Sequence, residues 1–237
     1  MVEEKKDVAK AVPLEPEVVN KDDLGFGGED NKELMIIPRA KLIQGSSPEM
    51  KDENLNCRVG EIINSITKEK LPEVFVPIFF STNWIRFNAK KVEDPGYDPD
   101  YELGAIIWRA DSKNDPAYIE AEANFGPNGE KPLAVQFLNF ICFFPEADVK
   151  MLMVSFAKTS FQAGRTLFSS CRSQPGASYA YKYKLGKQTK TGPTGDDYLC
   201  FTVSMAGKNE GEDLAKAAKI ANEVKSKQEN IVAHEDE

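Results

Sequence analysis

The chain has 237 residues, is 41% hydrophobic and 10% aromatic, and carries a net charge of −8. That length suits one domain with tails. It contains no apolar run near the roughly 18 residues of a membrane-spanning helix, and "MVEEKKDVAKAVPLEPE" lacks the apolar stretch of a signal peptide, so a cytoplasmic protein with no membrane contact is predicted.

Residues 1–33 hold ten acids and five lysines, with Pro13, Pro16 and "GFGG" at 25–28, and no hydrophobic period. They predict a disordered acidic arm. A core domain is predicted over 34–206. It opens with "ELMIIPRAKLIQGSSPE", where Pro38 ends any helix at Ile37, Leu42 and Ile43 turn inward and "GSSPE" turns the chain. Ile62, Ile63 and Ile66 predict a short strand, and "TKEK" a hairpin turn. "EVFVPIFFSTNWIRFN" is rich in β-branched and aromatic residues and predicts a long strand, with Pro77 marking a bulge or an edge. Residues 92–132 are acidic and rich in Pro and Gly, which predicts a long loop carrying one short strand, "GAIIWRA" at 104–110. "PLAVQFLNFICFFPEADVKMLMVSFAKTS" predicts a hairpin turning at "PEAD".

The helix expected next, over 158–174, places Phe161, Gly164, Leu167, Phe168 and Cys171 within about 120° of a helical wheel. Lys158, Arg165 and Arg172 recur every seven residues along its flank. "SYAYKYKLG" and "DYLCFTVSMAG" predict a second hairpin, joined by the basic loop "KQTKTGPTGD". The tail from 207 to 237 is acidic and helix-prone to about Lys227. These elements predict a mainly β (α+β) domain: an OB-like barrel with one central amphipathic helix.

Charge is unevenly placed. The 47 residues from 149 to 195 contain Lys150, Lys158, Arg165, Arg172, Lys182, Lys184, Lys187 and Lys190, and no acid. The same window holds Phe156, Phe161, Phe168, Tyr179, Tyr181 and Tyr183. Positive charge beside aromatic rings suits a polyanion with stackable bases, although a solvated basic face over an ordinary core would read the same way. On a strand, Tyr179, Tyr181 and Tyr183 share one face and Lys182 and Lys184 take the other. The tyrosines then either pack the core or form a stacking platform. Lys158, Arg165, Arg172, Lys187 and Lys190 would hold phosphates, and Trp84 with Arg86 could extend the groove.

Other chemistry finds less support. The sequence has no GxxxxGK[ST] or GxGxxG loop and no GxSxG elbow, and no cofactor is predicted. Cys57, Cys142, Cys171 and Cys200 lack the paired spacing of a zinc site and read as reduced thiols. The only histidine is His234, in the last four residues, so no histidine-dependent triad or histidine-ligated metal is expected inside the fold. The acids of 94–122 would have to converge to serve a metal-dependent nuclease.

Three segments carry a resemblance: "IPRAKLIQGSSPEM", "VGEIINSITKEKL" and "VSFAKTSFQAGRTLFSSCRS". Together they resemble a group of bacteriophage single-stranded DNA-binding proteins with OB-like folds. The matching positions are Pro38, Leu42, Gln44, Ser47, Pro48 and Glu49, then Gly60, Ile62, Asn64, Ser65 and Thr67, over about residues 34–205; Arg39 stands where the pattern usually has Leu or Phe. The resemblance implies a non-catalytic role in phage DNA replication or recombination, with single-stranded DNA as partner. It also implies that the acidic end, with Glu235, Asp236 and Glu237, recruits replication or recombination proteins. Self-association into a homo-oligomer is compatible with it. The alternative is a phage protein–protein adaptor or host-interaction factor, and the third reading is the nuclease.

Overall fold

The computed structural model describes residues 38–53, 55–192 and 195–235, with side chains as far as residue 225. The predicted arm at 1–33, Asp236 and Glu237 lie outside the described residues, as does the side chain of Glu235. The strands are β1 (Ala40–Leu42), β2 (Ile62–Asn64), β3 (Val74–Phe87), β4 (Ile106–Ala110), β5 (Ala134–Phe143), β6 (Met151–Ala157), β7 (Tyr181–Thr191) and β8 (Asp197–Lys208). The helices are α1 (Glu120–Ala123), α2 (Phe161–Ser173) and α3 (Gly211–Glu235). Among the described residues no helix is long and apolar enough to cross a membrane.

The domain is α+β, as its strand-rich pattern predicts, but its main sheet is open. Six antiparallel strands run in the order β6-β5-β3-β7-β8, with β4 also on β3, and β1 pairs with β2 apart from them. β6 and β8 end the path and do not pair with each other, so the predicted barrel closure is corrected to an open sheet. β3 organises the whole. It pairs with β5 from Val76 to Arg86, with β7 only at Val74 and Phe75, and with β4 only from Trp84 to Phe87. The bulge expected at Pro77 falls between Pro77 and Phe79, where a missing N–H can be tolerated.

Cross-strand register decides which residues share a face. Phe80, Leu138, Phe140, Val154 and Phe156 face inward, and α2 packs on them. The close approach depends on Gly164, where a Cβ would lie 2.7 Å from Phe156 Cβ and 3.0 Å from Leu138 Cδ1. A second cluster forms where Ala217 of α3 meets Val76, Ile78 and Phe143.

Three predicted boundaries shift. Ile66 leaves the strand for an exposed turn, β7 and β8 extend into the basic loop as far as Thr191 and Asp197, and α3 runs to Glu235. In the β7–β8 hairpin, ladder hydrogen bonds override turn-forming composition. The acidic loop is ordered by Asn88, 3% exposed, whose Nδ2 donates to the carbonyls of Asp98 and Tyr101 at 2.9 and 2.7 Å. Glu49 is also buried, and hydrogen bonds from Lys41 (2.7 Å), its own amide and Lys68 lower its carboxyl to about 2.

Candidate nucleic-acid interface

The aromatic half of the predicted platform is in the core. Tyr181 is 9% exposed and Tyr183 1%, both within the main hydrophobic cluster. Tyr183 packs 6.2 Å from Phe75, and burial pushes its phenol well above its ordinary value. Tyr179 sits in a short 3-10 turn, Ser178–Ala180, rather than on the strand, and packs with the α3 cluster. Of the two readings open for the tyrosines, the structure takes core packing. The rings of Tyr181 and Tyr183 cannot stack on bases without unpacking the core, whereas Tyr179 is half-buried.

Trp84 and Arg86 are also corrected from groove to interior, at 6% exposure each. Trp84 meets Tyr118 edge-on at 5.4 Å. The Arg86 guanidinium donates to the carbonyls of Phe87 and, at 2.6 Å, Gly96, and lies 3.6 Å from the Glu122 carboxylate. It fastens the acidic loop.

The cations divide. Lys182 pairs with Asp213 of α3 at 2.8 Å, and Lys187 donates to the Gly60 carbonyl at 2.5 Å. Both are tied to the fold. Lys158, Arg165, Arg172, Lys184 and Lys190 are exposed and have no side-chain partner among the described residues.

Two of those free cations flank an open aromatic groove. Along α2, Phe161, Arg165, Phe168 and Arg172 follow at steps of four, three and four, so they share one side of the helix. Between this side and the sheet edge lies a cavity of about 550 Å³, lined by Phe80, Leu138, Phe161, Arg165, Phe168 and Ser169. A second, of about 320 Å³, shares Phe80 and Phe168 with it and reaches Cys171, Arg172 and Gly176. Phe168 is 38% exposed. Its ring centroid lies 4.6 Å from Phe80, which is 4.8 Å from Phe140, which meets the buried Phe156 at 5.8 Å. A ladder of rings thus runs from the core to an open end. Beyond Arg165, the outer face of α2 carries Gln162, Thr166, Ser169, Ser170 and Ser173, all hydrogen-bonding groups without negative charge.

The sequence signals for this site were the arginine stripe and Phe168. The signal missed was Phe80, on a strand 88 residues before Phe168. The four thiols are unpaired, Cys142 and Cys200 buried and Cys57 and Cys171 partly so. Among the described residues, no three His, Cys, Asp or Glu side chains come together as a metal site would require, so the acids of 94–122 do not converge there.

Residues 5–230 match the protein family described as Pam3 phage gp34-like protein. The chain belongs to that family. It is therefore a phage-derived protein, as the resemblance implied, but membership assigns it no binding partner. No curated protein and no solved structure matches the chain.

Proposed function

We propose that this Pam3 gp34-like protein is a non-catalytic single-stranded DNA-binding protein acting in phage DNA replication or recombination in the host cytoplasm. One observation carries the reading: the open ring of Phe168, backed by Phe80, lies between two unpaired arginines on a helix in an acid-free stretch of 47 residues. Bases stack on the ring, and Arg165 and Arg172, about 10 Å apart along the helix axis, hold phosphates. Stacking ignores base identity, and an acidic body disfavours the stiffer, more highly charged duplex. Lys184 and Lys190 add positive field without contacts of their own. The acidic end recruits replication or recombination proteins.

The reading predicts a spectroscopic change at one residue. In Phe168→Trp, the new indole should be quenched by added oligo-dT. Trp84 and Trp108, 6% and 9% exposed, should keep their emission. An unchanged spectrum at saturating oligonucleotide would contradict stacking at this ring.

A further inference from the structure

The sheet face opposite α2 carries a further cavity, of about 310 Å³, that the groove does not explain. Its walls include Arg39, Phe79, Asn83, Arg109, Phe137 and Asn139. Register places these residues together: Asn83 opposes Phe137 on β5, Ser81 opposes Asn139, and Asn139 opposes Ser155 on β6. Asn83 is only 6% exposed and Asn139 9%, although both sit on the outward face.

A hydrogen-bond chain fixes their orientation. Ser155 Oγ donates to Asn139 Oδ1 at 2.7 Å, and Asn139 Nδ2 donates to Asn83 Oδ1 at 2.8 Å. The chain stops there. Asn83 Nδ2 has no partner among the described residues and is not sealed from solvent, so Asn83 offers the cavity two unused N–H donors. The donor end of this fixed carboxamide is open to solvent, so a ligand with an acceptor can take the place of water there. The half-buried rings of Phe79 and Phe137 supply flat apolar walls. Arg39 is exposed at the rim without a side-chain partner among the described residues, whereas Arg109 already meets Asp111 at 3.1 Å.

We infer that this cavity takes one unpaired base of the bound strand and reads its hydrogen-bonding edge through Asn83. The inference rests on the single-strand reading and adds selectivity to it. The chemistry that fits is a flat heteroaromatic ring with adjacent acceptors, joined to a phosphate within reach of Arg39. Cytosine presents O2 and N3 side by side. Thymine offers no such adjacent pair, because an N–H stands between its two carbonyls. A short strand containing cytosine is therefore preferred to one of thymine alone.

The test compares oligo-dC with oligo-dT by fluorescence anisotropy, at neutral pH and one salt concentration. The full-length protein should favour oligo-dC about 5- to 10-fold. In Asn83→Asp, the carboxylate keeps the bond from Asn139 but turns donors into acceptors, so the preference should vanish or invert. In Arg39→Ala, both strands should weaken together, with their ratio kept. A ratio of affinities is unaffected by a fraction of misfolded variant. Equal affinity for both strands in the wild type, or a preference kept in Asn83→Asp, would overturn this subsite while leaving single-strand binding intact. Failure of both strands to bind would remove the single-strand reading and this inference with it.

Discussion

Reversing two charges, Arg165→Glu with Arg172→Glu, should weaken single-strand affinity by at least about 100-fold at low salt. Each reversal releases one phosphate and places a carboxylate beside the next. Both side chains are exposed and lack partners among the described residues, so neither variant leaves a described buried group unsatisfied. Thermal stability should shift by no more than about 0.5 kcal/mol. The dependence of log affinity on log salt should also flatten, by about 0.7 for each phosphate no longer neutralised. Lys182→Ala is the informative comparison. It breaks the pair with Asp213, and its effect should fall on α3 docking rather than on affinity. A double reversal that binds as tightly as the wild type would move the interface away from α2.

The largest loss of stability is expected from Phe156→Ala. Phe156 is fully buried between Phe140 and Phe201, at 5.8 Å from each, and its Cβ lies under Gly164 of α2. Truncation removes the ring that joins β5, β8 and the helix. Phenylalanine-to-alanine changes at such sites cost about 3–5 kcal/mol, because the forfeited burial of the ring and the cavity left behind add. Chemical denaturation should show a lower midpoint with little change in slope. The loss should also reach the interface, since Phe156 stands at the inner end of the ring ladder that backs Phe168. An unfolding free energy within about 1 kcal/mol of wild type would mean that the two layers are not coupled through this ring.

The limits of the sequence are clearest at Tyr181 and Tyr183. Period-two spacing shows that they share a face, but not which face is inside. That choice depends on what covers the sheet, here Phe75 and Phe144 from distant segments. The same gap hid Phe80, whose role exists only because α2 lies across β3. The Pro77 bulge, both hairpins and the amphipathic face of α2 were legible because each follows from local sterics or short-range periodicity. Barrel closure was not, because it depends on two end strands meeting. The cavity at Asn83 had no local signal at all: Asn83 and Asn139 stand 56 residues apart and become neighbours only through the β3–β5 register. Arg86 misled because a charged residue on an aromatic strand suggests a surface, whereas here backbone carbonyls and Glu122 satisfy it inside.

The most direct measurement is fluorescence anisotropy of a labelled oligo-dT and a matched duplex, titrated with the full-length protein at several salt concentrations. The account predicts tight single-strand binding, with log affinity falling against log salt by about 0.7 per phosphate contacted, and much weaker duplex binding. Absence of binding to either at low salt would contradict it, and would favour a protein-binding adaptor.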